Sequence, residues 1–282
     1  MEGLTGFVFR NAYQKHFGNI DTYFTPFINN KKMNYKEIKD ILPEHNEGMH
    51  VVPQILTNRA EDFLAIAKEL GNYGYESVNL NLGCPSGTVV AKHRGAGFLA
   101  VPEKLDHFLE EIFAECPLRI SVKTRVGGND AGEWEHLLSI YEKYPMEELI
   151  IHPRVQKDFY NNTPDMEAFL YAVENSRHTL CYNGDICSVE DYRTWRQQME
   201  EKRECAFMQE SGHHPEDTGS LVSHLMLGRG VLKNPGLIGE LTGHAPITKD
   251  QFHAFHDDIL KGYLDVMSGE RNTLFRMKEL WF

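Results

Sequence analysis

Ser77-Val78-Asn79-Leu80-Asn81-Leu82 reads as a buried strand, and Gly83-Cys84-Pro85 ends it in an abrupt turn. A loop rich in glycine and basic residues follows, through Lys92-His93-Arg94-Gly95-Ala96-Gly97. A thiol is thus held at a strand end, where a parallel α/β fold places its chemistry.

The same unit repeats on both sides of this stretch. Upstream, strands are expected at 23–28 and 51–56, although Pro53 weakens the second. Helices are expected from Phe7 to about Gly18 and over Tyr35–Leu42, the latter stopped by Pro43. After Leu56, Asn58 with Glu61 suits a capped helix start, Phe63, Leu64, Ala67 and Leu70 mark one face, and Gly71 suits the position after its end. Downstream, Pro102 opens a helix with Leu105, Phe108, Leu109, Ile112 and Phe113 in phase. Strands follow at 119–124, 148–152, 179–182 and 221–227, separated by helices at 133–144, 165–174 and from Ser188. Residues 200–220 read as polar and irregular. Strand–helix units with short connections imply a parallel sheet of seven strands. A TIM-type barrel puts polar and basic strand ends on one active face. The competing doubly wound sheet favours a Gly-x-Gly-x-x-Gly turn after its first strand, and none is present. From Pro246 the pattern becomes helical: Thr248 with Gln251 forms a capping box, and a second helix is expected over 274–281. The expected division is a barrel domain over 1–242 and the start of a helical domain over 243–282.

The 282 residues carry a net charge of −12, which excludes a protein that coats nucleic acid through overall basicity but permits a local basic patch. No apolar run reaches the roughly 20 residues of a membrane helix, and Met1–Gly6 lacks the regions of a secretory signal. Five cysteines at scattered spacings form neither a disulfide framework nor a zinc pattern, so a reducing cytoplasm is the expected location. His213-His214 lacks a third ligand and reads as a solvated loop; no metal site is expected.

Six segments, each associated with a strand end, carry a resemblance: Met1-Glu2-Gly3-Leu4-Thr5-Gly6-Phe7-Val8-Phe9-Arg10, Asn81-Leu82-Gly83-Cys84-Pro85, Val122-Lys123-Thr124-Arg125, Ile151-His152-Pro153-Arg154, Asn183-Gly184-Asp185-Ile186 and Met226-Leu227-Gly228-Arg229-Gly230. Their order resembles the signature of tRNA-dihydrouridine synthases. The resemblance implies an FMN-carrying eight-stranded barrel, a helical domain that helps grip tRNA, and NADPH-dependent reduction of the uracil C5–C6 double bond. In that family the first barrel strand precedes the Met-Glu-Gly motif. This chain starts at the motif, so the expectation is a barrel lacking its first strand and a shortened helical domain. Residues 200–223 match the family poorly.

Residue by residue, the resemblance implies Cys84 as the proton donor to C5 and Lys123 as the cation beside the reduced flavin. Gln54 is expected at the flavin and Asn81 at flavin or substrate, although each equally suits a structural bond to a loop. His152 is expected to pack near the flavin. Asn183, Gly184, Asp185, Gly228 and Arg229 follow the last two strands, where barrels bind phosphate. Lys92, Arg94, Arg125, Arg154 and Lys157 are expected to meet RNA, with Tyr160 and Asn161 as further base contacts; the target uracil must leave its stack to be reduced. Cys116, Cys181, Cys187 and Cys205 read as structural. A monomer is expected. The alternatives are a flavin barrel reducing a free pyrimidine and a tRNA-binding remnant without catalysis.

Overall fold

The computed structural model describes residues 3–209, 222 and 224–280. One parallel sheet holds β1 (Tyr23–Ile28), β2 (Val51–Ile55), β3 (Ser77–Leu82), β4 (Arg119–Gly127), β5 (Leu149–Val155), β6 (Leu180–Tyr182) and β7 (His224–Leu225). Each strand pairs with the next in sequence. That is the winding of an α/β barrel, not of a doubly wound sheet, whose strand order reverses. Among the described residues no ladder joins β7 to β1, so the sheet is a curled, seven-stranded half-barrel.

Helix α1 (Phe7–His16) precedes the sheet, α2 (Tyr35–Ile41) follows β1 and α3 (Ala60–Asn72) follows β2. The β3–β4 connection holds α4 (Gly87–Val90) and α5 (Pro102–Glu115); α6 (Trp134–Tyr141), α7 (Met166–Asn175) and α8 (Val189–Gln209) follow β4, β5 and β6. After β7 come α9 (Arg229–Lys233), α10 (Leu237–Leu241), α11 (Lys249–Val266) and α12 (Glu270–Leu280). The capping box of Thr248 and Gln251 opens α11 as its sequence predicts.

Three local expectations are corrected. Asn58 does not cap α3, which begins at Ala60; its Nδ2 donates to Lys92 O at 3.0 Å and ties the β2 loop to the β3 loop. Gly71 lies inside α3, and Gly74, at φ +89°, provides the left-handed turn beyond it. The polar stretch from residue 200 does not end α8, which runs to Gln209; Arg196–Glu200 and Gln197–Glu201 pairs support its surface at i,i+4 spacing. His213-His214 and most of the expected seventh strand's approach lie outside the described residues.

Burial sorts the two faces of the sheet. Val78, Leu80 and Leu82 of β3 point outward and are fully buried with Phe63, Ile66 and Leu70 of α3 and Leu105, Phe108 and Ile112 of α5. The alternate residues, Asn79 and Asn81, point into the curl, as the period of two requires. A second apolar cluster joins Val8, Phe9 and Tyr13 of α1 to Phe255, Ile259 and Tyr263 of α11 and Met277 of α12. Tyr13 OH donates to Pro235 O at 2.8 Å, which fixes this cluster to the segment after β7.

Candidate active site

The inner face of the sheet is a ladder of polar rows. The first row runs Gln54–Asn79–Ser121 across β2, β3 and β4. Gln54 Nε2 donates to Asn79 Oδ1 at 2.8 Å, and Asn79 Nδ2 to Ser121 Oγ at 2.9 Å. The second row pairs Asn81 with Lys123, and the third places Arg125 beside His152. Buried amides survive here because each finds a partner.

Asn81 organises the turn that carries the thiol. Its Oδ1 accepts from Gly83 N at 3.0 Å and Cys84 N at 2.9 Å, while its Nδ2 donates to Gln54 Oε1 at 2.7 Å. The strand therefore stops with two backbone donors turned back onto a side chain, and Cys84 projects half-buried from the strand end. From the other side, Ala96 N donates to Cys84 O at 3.0 Å. Gly95 must be glycine: its φ is +54°, and a Cβ there would lie 2.8 Å from Cys84 O. The Lys92–Gly97 loop thus clamps the Cys84 turn. Lys92 itself is exposed, and Arg94 is partly buried with its guanidinium donating to Asn29 O at 3.3 Å.

Lys123 lies one strand away. A Cβ on Gly83 would lie 3.8 Å from its Nζ. Burial, with Arg125 adding repulsion, pushes its pKa down to about 8, while Cys84 and Cys181 pull the other way. Among the described residues its ammonium has no hydrogen bond or ion pair. A half-buried, largely desolvated cation with no protein partner among the described residues favours an anion beside it. His152 is driven down to about 2 by burial and by Lys123 and Arg125, so it is neutral. Its Nδ1 meets Asn183 O at 2.5 Å, which fixes the proton there; Arg154 then donates to Nε2 at 3.4 Å.

Asp185 is the charge hub beyond β6. Arg154 binds both its carboxylate oxygens, and Arg229 binds one of them. Burial alone would raise the Asp185 pKa, but Arg154 and Arg229 outweigh it and hold it below the usual carboxylate range. Asn183 Nδ2 donates to Met226 O at 2.7 Å, joining the last two strand ends. Gly184 admits no side chain, because a Cβ would strike Tyr182 OH.

Two of the arginines expected at RNA are buried. Arg125 is 1% exposed and Arg154 2%. Arg125 Nε donates to Gly83 O at 3.0 Å, and its other nitrogens to Val155 O at 2.9 Å and Phe159 O at 2.7 Å. Arg154 Nε donates to Asn162 O. Their donors go to the protein's own carbonyls and to Asp185, so both side chains brace the loops around the site from within. Lys157 is exposed, and Gly228 and Arg229 stand at the start of α9 with Arg229 half-exposed. The sequence reading missed Phe159. It is 45% exposed beside Tyr160 at 50%, at φ +50°. An aromatic pair between turn-forming polar residues was its only sequence signal. No cluster of metal ligands exists among the described residues.

A parallel α/β half-barrel with a thiol, a partnerless ammonium and a neutral imidazole at adjacent strand ends defines a barrel protein built for chemistry on its C-terminal face. A family model described as "Dihydrouridine synthase (Dus)" matches residues 1–203, and the chain belongs to that family. A "Probable tRNA-dihydrouridine synthase" of Staphylococcus epidermidis is 28% identical over 196 residues, covering 66% of this chain and 59% of the relative. A "Probable tRNA-dihydrouridine synthase 2" of Bacillus subtilis is 28% identical over 162 residues, covering 56% of this chain and 49% of the relative. The chain therefore matches about half to three-fifths of the length of these relatives. A solved structure, a variant of NCR from Zymomonas mobilis, superposes with a TM-score of 0.55 at 12% identity, covering 95% of this chain and 92% of that one. That likeness bears on the fold alone. No helix among the described residues is long and apolar enough to cross a membrane.

Proposed function

We propose that this chain is the catalytic portion of a tRNA-dihydrouridine synthase, an oxidoreductase that reduces the C5–C6 double bond of uridine in tRNA. The observation that carries the reading is the Cys84 turn, held by Asn81 next to a lysine with no protein partner among the described residues. The residues fit a flavin mononucleotide. Lys123 is a cation waiting for negative charge, the ring would meet the amides of Gln54 and Asn81 and neutral His152, and the phosphate would meet Arg229 and the backbone of Asn183–Asp185 and Gly228. When bound, FMN supplies a hydride, taken from NADPH, to one carbon of the double bond.

The chain's own residues do the rest. Cys84 donates its thiol proton: the S–H bond breaks, a C–H bond forms at C5, and the sulfur keeps the electron pair as thiolate. Lys123 stabilises that thiolate, since the two groups attract. His152 carries no charge and so does not compete with Lys123 for the anion. Arg125 and Arg154 hold the surrounding loops. Lys92, Arg94, Lys157 and Tyr160 line the approach for RNA. Residues 243–280 would contribute to gripping tRNA as a helical part that rests on α1 through α11 and α12. The expected setting is a cytoplasmic monomer.

The test is direct. The purified chain should hold a yellow flavin and form dihydrouridine in unmodified tRNA with NADPH. Cys84→Ala should keep the flavin and lose product by about 10²-fold or more, the loss expected when a general acid is removed. Full activity of that variant, or reduction of free uracil but not of tRNA, overturns the reading.

A further inference from the structure

The loop from 156 to 162 is exposed yet held as if it were core. Asp158 accepts from Val155 N at 3.3 Å and from Asn162 Nδ2 at 2.6 Å, and its carbonyl accepts from Asn161 N at 2.9 Å. Beneath it, Arg125 donates to Val155 O and Phe159 O, and Arg154 to Asn162 O. Two buried guanidiniums are thereby committed to fixing seven surface residues. What they fix is the backbone that carries two exposed aromatic residues, Phe159 and Tyr160, with the exposed Lys157 two residues before Phe159. Phe159 has φ +50° and ψ −97°, a strained backbone conformation that persists only where surroundings over-determine it. The Tyr160 ring lies 4.6 Å from the Arg229 guanidinium carbon and 5.4 Å from that of Arg125, with the His152 ring at 5.9 Å. The same Arg125 holds Gly83 O, so one side chain joins this aromatic pair to the Cys84 turn.

We infer that Phe159 and Tyr160 form a nucleobase-stacking subsite for the nucleotides flanking the one drawn into the active site, with Lys157 meeting their phosphate. The inference rests on the proposed function and names what that site grips. An RNA whose target base leaves its stack exposes the faces of its neighbours, and a rigid aromatic ring replaces the lost stacking whatever the base. Rigidity matters here: a backbone already fixed beneath the rings loses little freedom on binding, which explains why two arginines are buried to hold it. The charges agree. On a chain with net charge −12, Lys157 stands two residues before Phe159, and the Asp158 carboxylate between them is turned onto Val155 N and Asn162 Nδ2, so a cation and two rings face solvent in the combination single-stranded RNA favours.

The test uses the full flavin-loaded chain and fluorescence anisotropy with unmodified tRNA over a range of salt. Phe159→Ala should weaken binding about ten-fold, within the stacking range, with an unchanged salt slope because stacking releases no counterions. Phe159→Trp should restore affinity, and Phe159→Leu should not. Lys157→Ala should instead reduce the salt slope by about one, the signature of a lost phosphate contact. Melting temperatures of the Phe159 variants should match the parent, since the ring is exposed. If the parent binds tRNA and Phe159→Ala binds within two-fold of it, or if Leu rescues as well as Trp, the stacking subsite is overturned and the proposed function stands. A parent that binds no tRNA overturns both.

Discussion

Lys123 shows how much one side chain decides. Its strand position places an ammonium inside the curl, and desolvation takes its pKa from 10.5 to about 8. In that interval the unfolded chain binds the proton and the folded chain does not, so the stability of the ligand-free protein rises as pH climbs from about 8 to 10.5. Lys123→Met should lack that rise and be more stable near pH 7 by roughly 1–3 kcal/mol. Paired urea titrations across pH measure the difference, which cancels the tyrosines that titrate higher. The same variant should hold flavin poorly, and product formation by the parent should decline at alkaline pH as Lys123 loses its charge, at a pH above the ligand-free value because the anion beside it favours the ammonium. A stability gain together with a loss of flavin separates a functional lysine from a merely tolerated one.

Elements show why the sequence revealed the strands more clearly than the site. The strands have β-branched or aliphatic runs that end in glycine, proline or a basic residue, and burial on the sheet's outer face enforces that pattern; β3 is found over the residues read for it. The strand-end motifs also stand out, because a Gly-Cys-Pro or Asn-Gly-Asp turn has few other uses. The burial of Arg125 and Arg154 is not legible in the sequence, because an arginine at a strand end looks the same whether it faces solvent or reaches across to neighbouring loops. Only the fold supplies the Gly83, Val155 and Phe159 carbonyls that consume the donors of Arg125. Phe159 was passed over for the complementary reason: an exposed aromatic becomes informative only when its strained backbone and its strap are seen. Arg125→Met should therefore leave three carbonyls without their donor and cost about 2–4 kcal/mol. Amide exchange should quicken through residues 155–162 and at Gly83 and Cys84 together, because one guanidinium holds both segments. Faster exchange in the 155–162 loop alone would deny the link between aromatic pair and thiol turn.

At the scale of the whole molecule, two apolar clusters share the stability. The larger one lies between the sheet and its outer helices, and the smaller joins α1 to α11 and α12. Phe255 is the centre of the smaller one: its ring lies 5.7 Å from Phe9, 6.1 Å from Tyr13 and 5.0 Å from Phe17, all edge-on. The first helix and α11 thus meet around a single fully buried ring. The Tyr13–Pro235 hydrogen bond then carries that contact to the segment after β7, on the side where no ladder joins the first and last strands. Sequence periodicity finds both helices but not their meeting, since 242 positions separate Phe255 from Tyr13 and no local pattern encodes the contact. Phe255→Ala should cost about 3–5 kcal/mol, the usual range for emptying a buried aromatic site. The loss should not be uniform. Exchange protection should fall in α1, α11 and α12 while Leu80 and Val122 amides in the sheet keep theirs, and urea unfolding should split into two steps. The strand-end machinery sits on the sheet, so the variant should retain flavin under conditions where α11 and α12 have already loosened. A single cooperative transition with sheet and helices lost together would instead mean that the α1–α11 contact is what keeps the half-barrel folded.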